Sequence, residues 1–430
     1  MYRVSIRLIL FWLLTFFIIP EACRALPQGP FPDAVFNRNI KTVVFYKQGW
    51  EFSYPILQLN DANPLYLSFD ELNATSKNYN YSVILCDADW MPSRLSFSEY
   101  MDGFFQNPLV TYESSFSTHI PYTHYSLQIP NENVKLKMSG NYALLIYENG
   151  NEDEPVLIKR FMIVDDKITI NCDVKRPILP AYQDEYQQLN FSVQHPDYII
   201  ENPFQTIKVN ILKNGVWKFL NSDIKPLYIR DTEILYDSPD KNLFLGGNEY
   251  RSFDLKSLKY QSANIESIGF VKDSYQMVLK PEDARNNIVY FFNEDLNGKY
   301  LVQNQQGRTP ETDADYVHVL FSFKREAIVN GGDIYVFGAF SDFNCYDDNK
   351  MKYNPEKEHY ELDMLVKQGY YNYQYVFVPK DAGDVDEKYF EGSYYETEND
   401  YLILVYHRPY GSHYDRLIGM KVVNSLKRGQ

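Results

Sequence analysis

The alternation of apolar and polar residues constrains the fold of this chain more than any other feature. In many short segments one set of apolar side chains occupies every second position, a period of two that is typical of a β-strand with one face on a core. Turn residues separate these segments, and no helical pattern of any length lies between them, which favours antiparallel sandwiches over βαβ units. Four examples are Leu65, Leu67 and Phe69; Tyr81, Val83 and Leu85; Tyr125, Leu127 and Ile129; and Tyr142, Leu144 and Ile146.

The aromatic content supports the same interpretation. The chain has 38 Tyr and 28 Phe among its 430 residues, and aromatic side chains favour pleated surfaces over helices. The sequence therefore predicts an all-β fold of tandem antiparallel β-sandwich domains, immunoglobulin-like or early-set in type, with few short helices. Its formal net charge of −15 would repel a phosphate backbone or an anionic bilayer, so nucleic acid is excluded as a partner.

The first 25 residues have the pattern of a cleaved secretory signal peptide. Arg3 and Arg7 precede an apolar run at residues 8–19 that is too short to span a bilayer. We expect cleavage after Ala25, with lipidation of Cys23 as the alternative. Whether any two of the remaining cysteines pair stays open, since three can form at most one disulfide: Cys86, Cys172 and Cys345.

Two further boundaries follow from composition. We expect a first β-sandwich at residues 26–165, a second β domain at 166–303 and a third, early-set-like sandwich at 304–430. The first junction is short, at Asp165 and Asp166. The second is the polar stretch at residues 303–315, which contains Gly307 and Pro310 and is typical of a linker.

The motif Cys86-Asp-Ala-Asp-Trp90 is the first candidate for chemistry. Its alternating carboxylates resemble a metal-binding element, but a metal would need further ligands, and His119 and His124 match no zinc spacing. The alternative is a strand that ends in a turn, with both carboxylates accepting backbone N–H groups and Trp90 packed underneath.

Motifs for catalysis are missing from the sequence: it has no nucleophile elbow, no zinc-protease helix and no phosphate-binding loop. We therefore predict a protein that is not an enzyme and that carries no metal or organic cofactor. The aromatic run at residues 370–377 could stack on sugars, but alternate side chains of a strand fill its core. This run keeps a secreted or surface carbohydrate-binding sandwich as the alternative function.

The order of several longer segments resembles the plug protein family of the type IX secretion system, a family formerly described only as a domain of unknown function. The resemblance covers nearly the whole chain after the leader. It departs from the family pattern at Leu85, where a His commonly precedes the Cys, and at Phe343, where a Trp is usual. The segments are residues 39–46, 54–60, 86–90, 99–100, 122–125, 139–142, 246–258, 367–373, 396–401 and 414–419.

The resemblance implies a periplasmic protein that occludes an outer-membrane β-barrel translocon when no cargo passes. It would associate with the outer membrane through the translocon, without a membrane span of its own, and be a monomer when free. Such an interface favours aromatic anchors on loops, and Trp90, Tyr100 and Phe104 are the predicted partner-binding residues. The alternative for these three side chains is that they fill the core of the first domain.

Overall fold

A computed structural model describes residues 29–72 and 75–426 of the chain. The predicted signal peptide at residues 1–25, with Cys23 and the cleavage site after Ala25, lies outside the described residues. The described part is built from short strands joined by turns, by four single-turn α-helices and by four single-turn 3-10 helices. The prediction of an all-β fold of antiparallel sandwiches with few short helices is confirmed.

The first sandwich contains twelve strands and one helix within the described residues. Ten of these strands form two facing sheets, which we call the outer sheet (β2-β4-β9-β8) and the central sheet (β1-β12-β11-β5-β7), with β3 parallel to β12, and the other two, β6 and β10, pair with each other. The elements are β1 (Ala34–Val35), β2 (Ile40–Lys47), β3 (Ile56–Gln58), β4 (Leu65–Glu71), β5 (Tyr79–Cys86), α1 (Phe97–Tyr100), β6 (Met101–Gly103), β7 (Asn107–Leu109), β8 (Tyr112–Ser114), β9 (Thr123–Ile129), β10 (Val134–Leu136), β11 (Gly140–Glu148) and β12 (Pro155–Val164).

The alternating side chains predicted to face a core do so. Leu127 is partly buried, and the other side chains of this set are almost completely buried between the outer and central sheets. The rings of Phe69, Tyr79 and Tyr125 contact one another there. The opposite face of the central sheet is buried as well, because Leu145 and Tyr147 meet side chains from the end of the chain. The central sheet is therefore an inner layer, covered on both faces.

The next part of the chain leaves the central sheet and supplies strands first to a second sandwich and then, from residue 251 on, to a third. Its elements are β13 (Thr169–Lys175), β14 (Tyr186–Gln194), α2 (Pro203–Thr206), β15 (Ile207–Lys213), β16 (Leu220–Asn221), β17 (Tyr228–Arg230), β18 (Glu233–Tyr236), β19 (Leu243–Leu245), β20 (Arg251–Asp254), β21 (Ile265–Val271), β22 (Ser274–Leu279) and β23 (Tyr300–Val302).

The last part contains α3 (Pro310–Asp313), β24 (Tyr316–Lys324), β25 (Gly332–Phe337), β26 (Lys352–Asn354), β27 (His359–Lys367), β28 (Gly369–Pro379), α4 (Lys388–Glu391), β29 (Asp400–His407) and β30 (Arg416–Asn424). Strands β29 and β30 complete the sheet β16-β15-β29-β30 of the second sandwich. The other two strands of this sheet, β15 and β16, come from much earlier in the chain. This sheet packs on the central sheet with one face and on the sheet of β13, β14, β17, β18 and β19 with the other. Four sheets are thus stacked in layers.

Strands β20 to β28 form a third sandwich. In the sequence they lie between the strands that begin the second sandwich and the strands that complete it. One sheet is β20-β28-β23 with β25, the other is β21-β22-β24-β27-β26, and they share one aromatic core. Within β28, Tyr371, Tyr373 and Tyr375 fill this core, as expected for one face of the strand. Asn372, Gln374 and Val376 on the other face are also buried, so residues 371–376 offer no aromatic surface to a sugar.

The predicted boundary at 303/304 requires correction. Strands β23 and β24, on either side of the polar stretch, belong to the same sandwich. In addition, β29 pairs with β15, although all strands of the third sandwich lie between them in the sequence. The stretch is a loop that passes from one sheet to the facing one, in which the Asp313 carboxylate accepts the N–H groups of Arg308 and Thr309. A loop on this path has the same polar composition as a linker, which explains the error. The second and third sandwiches are therefore interleaved rather than consecutive.

Candidate partner-binding site

Trp90, the first predicted partner-binding residue, is buried at the junction of the first and second sandwiches. Its ring is 2% exposed and meets the ring of Trp217 edge to face at 5.0 Å between centroids. The guanidinium of Arg160 lies over both rings, at 4.6 and 4.9 Å. A partner cannot reach Trp90 unless the junction opens, so its predicted exposure is wrong.

Tyr100, the second predicted contact, is also buried and requires the same correction. It is the last residue of α1, its hydroxyl donates to the carbonyl of Val83 at 3.2 Å, and its ring packs near Tyr142. Burial raises the pKa of its hydroxyl. Tyr100 fills the core of the first sandwich, as the alternative interpretation held.

Phe104 is the one member of the three that faces outward, with 68% of its surface exposed. The preceding residue, Gly103, holds a φ of +120°, and a Cβ on it would fall 1.9 Å from the carbonyl oxygen of Asn133. The amide of Phe104 donates to that carbonyl at 3.1 Å. The end of β6 therefore holds Phe104 at the surface, where it is available to a partner.

The motif at residues 86–90 forms a joint between sandwiches. The Asp87 carboxylate pairs with Arg408 at 2.8 Å, and the Ala88 amide donates to Asp415 at 2.9 Å. The Asn210 side chain donates to the Ala88 carbonyl at 3.1 Å. The two carboxylates of the motif have different roles, because Asp89 only accepts the amide of Met91 within its own turn.

Asp415 is the charged centre of this joint. Burial acts to raise the pKa of its carboxyl, but bonds from Arg408, the Ala88 amide and Lys208 together hold that pKa below its ordinary value. The ionised form is therefore the one that the joint stabilises. Nothing in the local sequence around Asp415 indicated this role, because its partners lie up to 327 residues away.

A second joint connects the first sandwich to the third. Asp70 on β4 and Lys367 on β27 form an ion pair of 2.7 Å in which both side chains are 1% exposed. Tyr316 donates its hydroxyl to the same carboxylate at 2.7 Å, and the Nδ1 atom of His124 lies 2.7 Å from its other oxygen. Lys367 also lies 4.1 Å from the centre of the Tyr122 ring. A buried carboxylate with three polar partners fixes the orientation of the two sandwiches.

Groups of three or more His, Cys, Asp or Glu side chains that could hold a metal are not found in the part of the chain that the structure describes. His119 and His124, the candidate ligands, are separated: His119 packs on Phe270 and Tyr275, whereas His124 bonds to Asp70. Cys86, Cys172 and Cys345 are free thiols. Among the described residues, the helices are all too short to cross a bilayer.

The comparisons with known proteins decide the family. The profile of the type 9 secretion system plug protein 1st domain matches residues 40–165. A crystal structure of a hypothetical protein from Parabacteroides merdae is 32% identical, covers 92% of this chain and 100% of its own, and superposes with a TM-score of 0.89. The chain belongs to the type 9 secretion system plug protein family. No curated protein sequence matches it.

Membership of the plug family relates the role of this chain to type 9 secretion. The two positions that depart from the family pattern are apolar packing sites here. Leu85 is completely buried in the first sandwich, and Phe343 packs edge to face on Phe337 at 5.4 Å. Both departures thus leave the plug-family fold intact.

Proposed function

We propose that this protein is a non-enzymatic periplasmic plug. It occludes the periplasmic end of the outer-membrane barrel through which type 9 cargo leaves, and it withdraws when cargo passes. The proposal includes export by the predicted signal peptide, association with the outer membrane through the barrel alone, and a monomeric free state. Its support is the family match together with the architecture of the body that would fill the opening.

The interlocking of the three sandwiches is the observation that carries this proposal. The first sandwich is fixed to the second through Asp415 and to the third through the Asp70–Lys367 ion pair, and the second encloses the third in sequence. A compact body of about 400 residues has a radius of gyration of about 22 Å, which corresponds to a sphere about 55 Å across. A body of that size, held by buried bonds, suits the occlusion of an opening wide enough for folded cargo.

The contacts that the buried acidic residues make support a binding role over a catalytic one. Asp87 and Asp415, which a metal or acid–base site could have used, are engaged with Arg408 and backbone amides. Glu391, buried in the third sandwich, is held by Arg251, Arg285 and the Tyr375 amide. These carboxylates stabilise the body, and we propose that it carries no metal or organic cofactor.

Phe104 remains a proposed contact with the barrel, since it is exposed and positioned by Gly103 at the end of β6. Trp90 and Tyr100 contribute instead to the packing of side chains in the interior of the protein.

Affinity purification tests the proposed function. The protein, tagged at its C terminus in its native host, is isolated from detergent-solubilised envelopes, and the proteins that accompany it are identified. Recovery of an outer-membrane barrel of the secretion system, absent from a strain with an untagged copy, is expected. Recovery of the tagged protein without any barrel would refute the proposal, and retention on polysaccharide columns would favour the carbohydrate-binding alternative.

A further inference from the structure

An exposed apolar stretch lies in the third sandwich, within the loop between β22 and β23. We call residues 288–292 (Ile-Val-Tyr-Phe-Phe) the apolar segment. Val289 is 90% exposed, Phe291 80%, Ile288 52% and Phe292 48%. Four of these five side chains are thus apolar and exposed, and an apolar surface of this kind on a folded protein marks either an interaction site or an aggregation liability.

The apolar segment is held in place by its neighbours. The Tyr394 hydroxyl donates to the carbonyl of Ile288 at 2.6 Å, and the Tyr290 hydroxyl donates to the Glu249 carboxylate at 2.5 Å. Beyond the segment, Asp295 accepts the amides of Tyr250 and Asn297. Because both ends and the middle are fixed to the body, the exposed side chains are presented in one arrangement, which lowers the entropic cost of binding.

The backbone of the apolar segment leaves its donors available. The amides from Val289 to Glu294 donate no hydrogen bond to another group in the described part of the chain. Burial and the bond to Glu249 raise the pKa of the Tyr290 hydroxyl, so this ring stays neutral beneath the segment. The surface therefore combines apolar side chains with free backbone donors, the two kinds of contact that an interface core and its polar rim use.

The charge around the segment indicates what kind of partner fits. Glu294 and Glu396 are exposed and belong to no ion pair within the described residues, whereas the nearby Arg285 is already paired with Glu391 and Lys388 with Glu185. Amphipathic segments that bind anionic membranes carry Lys or Arg beside their apolar face. An apolar centre with an acidic rim instead complements an apolar groove bordered by basic side chains.

We propose that the apolar segment is the principal anchor of this protein on its partner, inserted into an apolar groove with a Lys- or Arg-bordered rim at the periplasmic end of the translocon barrel. This inference rests on the proposed function and specifies the surface that performs it. Val289 and Phe291 enter the groove, and Glu294 and Glu396 meet its basic rim.

The test compares two matched pairs of substitutions in the tagged native protein. Val289→Ser with Phe291→Ser removes the anchor, and Ile199→Ser with Phe204→Ser removes two side chains of the second sandwich that are 84% and 55% exposed. We expect the first pair to reduce recovery of the barrel from solubilised envelopes at least about tenfold, as the loss of interface hot spots does. The control pair should retain full recovery, and both should keep the thermal unfolding midpoint of the unsubstituted protein.

The outcomes separate this inference from the proposed function. Equal recovery by the two pairs, when the unsubstituted protein recovers the barrel, overturns the anchor and leaves the proposed function standing. Failure of the unsubstituted protein to recover any barrel overturns both. The unsubstituted protein is also floated with vesicles of phosphatidylethanolamine and phosphatidylglycerol. If it floats with them and the first pair of substitutions abolishes flotation, the segment binds a membrane and the protein groove is overturned.

Discussion

The ammonium group of Lys367 lies 2.7 Å from the carboxylate of Asp70, although 297 residues separate them in the sequence and neither side chain reaches solvent. Burial acts to lower the pKa of Lys367, and the neighbouring Asp70 charge opposes that effect. The pair joins the first sandwich to the third. Its energetic role lies in the cost of breaking it, since a charge left alone in the interior has no compensation.

Replacement of Lys367 by Met should lower the free energy of unfolding by about 3–5 kcal/mol, because Asp70 then remains buried without its cation. Adding Asp70→Asn should restore part of the loss, since the uncompensated charge is removed. Chemical denaturation of the single and double variants measures both effects. Lys357→Met, which breaks an ion pair with a 56% exposed lysine, is the control and should cost less than about 1 kcal/mol. Equal losses for Lys357→Met and Lys367→Met would contradict the account.

Cleavage of the polar loop at residues 303–315 should nick the protein without separating its parts. Arg308 is exposed, so trypsin can reach it. Strands from both sides of the cut share sheets, including β15 with β29 and β20 with β28, which should hold the fragments together. Size-exclusion chromatography of the nicked protein under native conditions should give one peak that contains both fragments. Two peaks would indicate that the stretch is a linker between separate domains.

Acid should weaken the third sandwich through Glu391. Burial acts to raise the pKa of this carboxyl, but Arg251 and Arg285 lower it from 4.5 to about 2. A carboxyl with a lowered folded-state pKa contributes stability that is complete above its unfolded pKa and is lost as pH falls towards its folded pKa. The contribution is about 3 kcal/mol, lost between about pH 4.5 and pH 2.

Denaturation midpoints measured from pH 6 to pH 2 check this effect. The variant Glu391→Gln should be less stable than the natural protein at pH 6, and the difference between them should shrink as the pH approaches 2. A difference that stays constant with pH would show that the Glu391 charge contributes nothing to stability.

Trp90 and Phe104 should respond to substitution in opposite ways. Trp90→Ala opens a cavity between sandwiches and should cost about 3–5 kcal/mol of unfolding free energy. Phe104→Ser removes an exposed ring and should change stability by less than about 0.5 kcal/mol, while it reduces recovery of the barrel with the tagged protein. Thermal unfolding and affinity purification measure the two effects. Undiminished barrel recovery by Phe104→Ser would remove this residue from the interface.

The strands of this fold were predictable because their signal is local. A period of two in β4, β5, β9 and β11 is visible over a few residues, and the structure places these side chains in one core. The single turn of α1 starts after Ser96, where the capping box with Glu99 forms. That Ser-x-x-Glu signal was present in the sequence.

The arrangement of the sandwiches could not be predicted, because it depends on pairs that are distant in sequence. The antiparallel partners Ile207 and His407 carry no local mark of one another. Trp90 was expected at a surface that binds a partner. An aromatic residue beside a turn has the same local sequence whether a partner or another sandwich of the same chain covers it, so the sequence could not distinguish the two. The apolar segment at residues 288–292 has the composition of a buried strand, and only its exposure distinguishes it.

The most direct test of sealing is the permeability of the outer membrane in a strain without this protein. The deletion strain is challenged with an antibiotic that is normally too large to enter, while immunoblots follow the barrel and the exported cargo. The account predicts increased sensitivity with cargo still exported, restored to normal by the natural gene supplied in trans. Unchanged resistance in cells that make the barrel would contradict the sealing role.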